Sequence, residues 1–215
     1  MSTSTNHFGG RALLGGGILF TIAGILHPDV STLEGANVAS PGLWALVHWA
    51  YLIGDVLLVA GLVTLFRHVA FSSAGSNAGW AAVALAGGVM GFTLDGASTG
   101  IHMLAFPPAV PASTPNLQNI FDAAAAVNTG IGNAGFLVAC LGLVALGAVM
   151  KKEGWSPVVA IGGMAVGGIE VFLAIVTGIT GSPLIPAGSA TLAVNALMPV
   201  SYAVVGVFFG KVKAE

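Results

Sequence analysis

Residues 43–66 read LWALVHWAYLIGDVLLVAGLVTLF, and this stretch decides the fold class. It is long enough to cross the hydrocarbon core of a bilayer, which takes about 20 mostly apolar residues in a helix. The stretch has no Lys or Arg, yet it includes His48 and Asp55. This length and composition predict a transmembrane helix that carries polar side chains inside the membrane.

The same pattern recurs along the chain and predicts an all-α fold, a polytopic bundle of six transmembrane helices in one domain covering residues 1–215. A short apolar run after Arg11 would also suit a secretory signal peptide, but we interpret it as the first span. The spans are expected at about 11–27, 43–66, 79–105, 118–150, 156–180 and 188–210.

The composition supports a membrane protein. Only 7% of the residues are charged and 56% are hydrophobic, whereas a soluble domain has about 25% charged residues. The surface is therefore expected to contact membrane lipids. A net charge of -2 without a basic stripe excludes nucleic-acid binding. The single cysteine, Cys140, excludes an internal disulfide and a cysteine-cluster metal site.

The basic residues predict the orientation of the chain. With six spans, all of them fall on one side of the membrane, and by the positive-inside rule both termini are expected in the cytoplasm. These residues are Arg11, Arg67, Lys151, Lys152, Lys211 and Lys213.

Residues 142–157 combine an apolar helix end with Lys151, Lys152, Gly154 and Pro157. This segment resembles a turn found in uncharacterised small bacterial six-helix membrane proteins. The resemblance implies six helices and a bacterial plasma (inner) membrane, and it implies no activity.

Ionisable side chains inside the spans are the candidate site residues, because such groups are expensive in a membrane and mark functional sites. His48 and Asp55 are seven residues apart, nearly two turns, so they share a helix face about 10 Å apart. Asp95 and His102 have the same spacing, with Thr99 between them. Because the two spans are antiparallel, both histidines should lie near the outer surface and both aspartates near the midplane.

Further polar residues are expected to line one cavity that opens outward, since the cytoplasmic half of the spans is almost purely apolar. Glu170 should lie near the midplane. His27 is expected to be an interfacial residue at the end of the first span rather than a ligand. The other candidate ligand-binding residues are Tyr51, Asp122, Asn133, Asn195 and Tyr202.

Three functions suit this pattern. The first is an isomerase or cyclase that needs no cofactor and acts on a lipophilic small molecule by acid–base catalysis through Asp55, Asp95 and Glu170. The second is a protein that binds haem b or a divalent metal through His48 and His102. The third is a proton-coupled transporter or ligand-binding protein. The pattern does not indicate the oligomeric state.

Overall fold

The computed structural model describes residues 3–28, 32–37, 39–72, 77–107, 109–180 and 189–211. These residues form helices joined by turns, with no strand in the described ranges. The helices are α1 (Thr3–Leu26), α2 (Leu33–Asn37), α3 (Pro41–Ser72), α4 (Ala78–Ala105), α5 (Leu117–Lys152), α6 (Pro157–Thr180) and α7 (Ser189–Phe209). The short helix α2 lies in the first predicted external loop and was not predicted.

Five helices are long and apolar enough to cross a membrane. These stretches are Asn6–Leu26, Pro41–Ala70, Ala78–Ala105, Leu117–Lys152 and Pro157–Val176. A sixth apolar stretch, Ala196–Phe209 within α7, is shorter. The prediction of an all-α fold is thereby confirmed for the described part of the chain, where five of the six predicted spans have the length and composition of membrane-spanning helices.

The six long helices form a closed ring. From α3 to α7, each helix contacts the next one along the chain; α1 contacts both α3 and α7 and so closes the ring. Short connections make neighbours of this kind antiparallel. As a result, the end of α1, the start of α3, the end of α4 and the start of α5 meet on one side of the bundle.

Glycines allow neighbouring backbones to approach closely, as is common between membrane helices. A Cβ atom added to Gly87 in α4 would lie 2.7 Å from the Cα of Gly142 in α5. A Cβ added to Gly16 in α1 would lie 2.8 Å from the carbonyl oxygen of Gly54 in α3. Side chains larger than hydrogen do not fit at these contacts, so the spacing of the helices depends on glycine there.

Basic residues gather at one end of the ring, which we call the basic end. There the His68 ring of α3 lies 5.6 Å from the Phe209 ring of α7, measured between centroids. Trp155, just before α6, stacks on Phe209 at 5.9 Å. Lys152 Nζ lies 5.8 Å from the centre of the Trp80 ring at the start of α4. Arg67, Lys151 and Lys211 belong to the same helix ends.

Candidate metal centre at the histidine end

Three histidines from three helix ends meet on the side of the bundle opposite the basic end. His27 follows α1, His48 lies in the first third of α3, and His102 lies in the last turn of α4. The centroid of the His27 ring is 5.1 Å from that of His48 and 5.5 Å from that of His102. The His48 and His102 rings are also 5.5 Å apart. We call these three residues the histidine cluster and their side of the bundle the histidine end.

The three side chains of the histidine cluster are close enough together to be candidate ligands of one metal ion. Each residue offers one ring nitrogen, and these atoms all lie within 4.8 Å of one another. Around a tetrahedral zinc ion with Zn–N bonds of about 2.1 Å, ligand nitrogens are about 3.4 Å apart. Binding of a single ion would therefore draw the three nitrogens closer together by up to about 1.4 Å.

Hydrogen bonds to backbone carbonyls orient two of the rings. His48 Nδ1 donates to the carbonyl oxygen of Trp44, one turn earlier, at 2.7 Å. His27 Nδ1 lies 2.8 Å from the carbonyl oxygen of Pro28 and can donate in the same way. His48 is 1% exposed, and its Nε2 has no hydrogen-bond partner. A buried acceptor without a partner is unfavourable, and an imidazole held through its other nitrogen is the usual state of a metal ligand.

Asn128 on α5 holds the third ring. Its side-chain amide lies 2.8 Å from His102 Nε2, and Ser98 Oγ lies 2.7 Å from the amide oxygen on the other side. Ser98 Oγ also lies 3.5 Å from the Asn128 backbone carbonyl. If the amide turns by 180°, its oxygen accepts a hydrogen bond from His102 Nε2–H and its nitrogen donates to Ser98. That orientation leaves His102 Nδ1 available to a metal.

Asn128 was not among the predicted site residues. It is buried, and its side-chain amide reaches His102 in the cluster. An amide at membrane depth is itself a signal of a functional or packing role, so residue type and position could have identified it. Spacing on α5 pointed instead to Asp122 and Asn133.

Aromatic side chains cover the histidine cluster. The Trp44 ring lies 4.2 Å from the His48 ring, and the Phe106 ring lies 4.5 Å from the His102 ring. Phe106 in turn packs against Phe121 of α5 at 5.1 Å. The buried residues Ala36 of α2 and Ala39 complete this small hydrophobic cluster, which we call the aromatic cap. The cap lowers the local dielectric constant and thus strengthens electrostatic interactions beneath it.

Polar residues continue below the histidine cluster on α3 and α4. Asp55 Oδ2 would lie 3.5 Å from a Cβ atom on Gly96, and Asp55 interacts electrostatically with Asp95. Tyr51 interacts electrostatically with both aspartates. Asp55 is 5% exposed and neither of its carboxyl oxygens has a hydrogen-bond partner, whereas Asp95 is half-buried. We call Asp55 and Asp95 the carboxyl pair.

Thr99 is buried on α4, between the levels of the histidine cluster and the carboxyl pair. The structure therefore brings together the candidates on α3 and α4 and adds His27, which was expected to be an interfacial residue. The candidates so assembled are His48, Tyr51, Asp55, Asp95 and His102, and Thr99 is buried on the same helix as the last two.

The remaining candidates lie on α5, α6 and α7. Glu170 is 3% exposed, its Oε1 has no hydrogen-bond partner, and it interacts electrostatically with Cys140 of α5. Tyr202 is fully buried and its hydroxyl donates to the carbonyl oxygen of Ala139 at 2.9 Å. Tyr202 thus links α7 to α5 in the centre of the ring.

Two candidates on α5 are exposed. The Asp122 carboxylate accepts a hydrogen bond of 2.8 Å from Gln118 Nε2 on the same helix. Asn133 is exposed as well. The side chain of Asn195 lies outside the described residues.

Comparisons of this chain with protein-family models, with curated proteins and with solved structures find no match. The donor atoms of the site indicate which ions suit it. Imidazole nitrogens suit Zn²⁺, Cu²⁺ and Ni²⁺, whereas Mg²⁺ and Ca²⁺ prefer oxygen ligands. The donor set of the histidine cluster consequently matches transition-metal ions.

Proposed function

We propose that this chain is a multi-pass membrane protein that binds a divalent transition-metal ion through His27, His48 and His102. The observation that carries the proposal is the meeting of three ring nitrogens, from three different helix ends, within 4.8 Å. The buried, unpartnered Nε2 of His48 supports it. Three protein ligands leave the fourth position of a tetrahedral ion for water or an incoming ligand.

A single ion suits the cluster better than haem b. A bis-histidine haem needs a flat slot between the two imidazoles that is wide enough for the macrocycle. Here the His27 ring lies within 5.5 Å of both other histidine rings, and the Trp44 ring lies 4.2 Å from the His48 ring. These rings fill the space that a macrocycle between His48 and His102 would take.

The proposed orientation places the basic end in the cytoplasm and the metal site on the outer side of a bacterial plasma membrane. The collection of Lys and Arg at one end supports this orientation through the positive-inside rule. The proposal includes α7 as a sixth span, because α7 contacts both α6 and α1 and so closes the ring. Both termini would then be cytoplasmic.

An acid–base isomerase or cyclase is the second candidate, and the buried, unpartnered carboxyl of Asp55 favours it. Such an enzyme needs room for a lipophilic substrate beside its acid. A groove of about 230 Å³ between α1 and α7 would suit a lipophilic molecule, but its lining includes none of the candidate acids. The lining residues are Leu14, Gly17, Ile18, Thr21, Ile22, Val200, Ala203, Val204 and Val207. The metal-binding function is therefore preferred.

Metal binding can be tested on the purified protein in lipid nanodiscs. The protein is equilibrated with Zn²⁺, Cu²⁺, Ni²⁺ or Co²⁺, desalted and analysed for metal content; one ion per chain is expected. Co²⁺ should produce the visible absorption bands of a four-coordinate site. A Soret band in the protein as purified would favour haem instead.

The histidine variants provide the matched comparison. His27→Ala, His48→Ala and His102→Ala should each lose most of the metal binding, because each removes one of three ligands. His7→Ala is the control, since His7 is an exposed histidine of α1 outside the cluster. Equal metal binding by His48→Ala and His7→Ala would refute the proposed site.

A further inference from the structure

We infer that Asp55 and Asp95 form a proton-binding pair that releases a proton when a metal ion occupies the histidine cluster. This inference rests on the proposed metal-binding function and extends it to an exchange of a metal ion for a proton. A metal site made of the three histidines alone leaves the carboxyl pair without a role.

The surroundings of the carboxyl pair do not balance two negative charges. Asp55 is buried and neither of its oxygens has a hydrogen-bond partner, so no Lys or Arg among the described residues pairs with it. The groups facing it are Asp95 and Gly96 from α4 and, on its own helix, Tyr51. From α1, the backbone around Gly16 and Phe20 approaches Gly54 next to it. Two carboxyl groups that share such a site keep at least one proton between them.

A metal ion in the histidine cluster would supply the missing positive charge. Each aspartate lies seven residues from a histidine of its own helix, which is a rise of about 10 Å. Over that distance, a charge of +2 weakens proton binding by on the order of a hundredfold at an effective dielectric constant of about 20. A metal ion in the histidine cluster therefore favours release of a proton that the carboxyl pair keeps in its absence.

Tyr51 lies between the histidine cluster and the carboxyl pair. Its ring centroid is 6.1 Å from that of His27, and its hydroxyl would lie 3.2 Å from a Cβ atom on Gly24. It also interacts electrostatically with both aspartates. In the exchange, the O–H bond of one carboxylic acid breaks, the carboxylate keeps the electron pair, and the proton passes to water at the histidine end. One M²⁺ enters and one H⁺ leaves, so the site gains one net positive charge.

Infrared difference spectroscopy on the full chain in nanodiscs tests this coupling. Zn²⁺ is added at pH 8, above the range in which histidine ordinarily titrates. We expect loss of the C=O stretching band of a protonated carboxyl group, together with release of about one proton per Zn²⁺ into a weakly buffered solution. Asp55→Asn or Asp95→Asn should remove the band change, and Asp122→Asn, which alters an exposed carboxylate, should preserve it.

The outcomes separate this inference from the metal site itself. If Zn²⁺ binds to the wild-type protein without a change in the carboxyl band and without proton release, the carboxyl pair is not coupled and the metal site still stands. If Zn²⁺ does not bind at all, both proposals fail. If His48→Ala, which cannot complete the histidine cluster, still loses the band on Zn²⁺ addition, the ion binds the carboxyls directly and the proposed coupling is wrong. The wild-type measurement needs no variant, so it is decisive even if Asp55→Asn fails to fold.

Discussion

Replacement of Asn128 by Ala should weaken metal binding without touching a metal ligand. The Asn128 amide contacts His102 Nε2 at 2.8 Å and is itself held by Ser98 at 2.7 Å. For His102 Nδ1 to bind the ion, Nε2 must carry the proton and donate it to the Asn128 oxygen. Alanine removes that acceptor and leaves the half-buried Nε2–H group of His102 without this partner.

The expected loss of Zn²⁺ affinity follows from the lost hydrogen bond and from the greater rotational freedom of the His102 ring. A buried donor without a partner costs about 1–3 kcal/mol, and about 1.4 kcal/mol corresponds to tenfold in affinity. Loss of an outer-shell hydrogen bond to a histidine ligand typically weakens metal binding by about 10–100-fold. We therefore expect Asn128→Ala to raise the Kd for Zn²⁺ by about 10–100-fold.

Competition with a chromophoric zinc chelator in nanodiscs gives the Kd of each variant. Asn128→Asp should bind at least as tightly as the wild-type protein, because a carboxylate accepts from His102 Nε2–H and makes the ring a better ligand. Asn133→Ala is the matched control, since Asn133 is an exposed asparagine on the same helix. If Asn128→Ala binds Zn²⁺ as tightly as the wild-type protein while His102→Ala does not bind it, Asn128 does not support the ligand and this reasoning is wrong.

Three further predictions concern packing and orientation. Gly10→Ala should lower the free energy of unfolding in detergent by about 1–3 kcal/mol, because its Cβ would lie 2.6 Å from a carbonyl oxygen of α7. Gly162→Ala is the control and should change the free energy of unfolding little, since nothing lies within 4 Å of a Cβ at that position. Tyr202→Phe should lower the free energy of unfolding by about 1 kcal/mol, because it removes the 2.9 Å hydrogen bond from the Tyr202 hydroxyl to α5. An unchanged unfolding curve would show that this hydrogen bond does not stabilise the protein. Val110→Cys at the histidine end should react with a membrane-impermeant maleimide in intact cells, and Arg67→Cys only after permeabilisation; the opposite pattern would reverse the orientation.

The seven-residue spacing predicts which polar side chains of α3 and α4 lie near one another. Two adjacent antiparallel helices joined by a short turn must face each other, so equal spacings place His48 opposite His102 and Asp55 near Asp95. The structure has this arrangement: the histidine rings are 5.5 Å apart and the aspartates interact electrostatically. Local periodicity and one short connection contain all the information that this part of the site requires.

Spacing was less informative for α5. The spacing predicts that Asp122 and Asn133 face the cavity, yet both are exposed, and Asn128 reaches His102 instead. In a membrane, the surface that faces lipid is as apolar as the surface that faces other helices. Hydropathy therefore does not reveal which face of α5 points inward, and only the packing of α5 against α4 determines it.

Close backbone contacts explain why His27 and Asn128 in particular escaped prediction. His27 reaches the cluster because α1 runs against α3, where a Cβ on Gly16 would lie 2.8 Å from the Gly54 carbonyl oxygen. Asn128 reaches His102 because α5 runs against α4, where a Cβ on Gly135 would lie 2.8 Å from the carbonyl oxygen of Gly91.

Both residues thus depend on helix-to-helix distances that glycine contacts set one or more turns away along the bundle. The ligand nitrogens, which all lie within 4.8 Å of one another, must still approach to about 3.4 Å around an ion. A side chain inserted at either glycine contact would push the helices apart and act against that approach. The glycine contacts are therefore expected to support the proposed metal site from a distance along the helices.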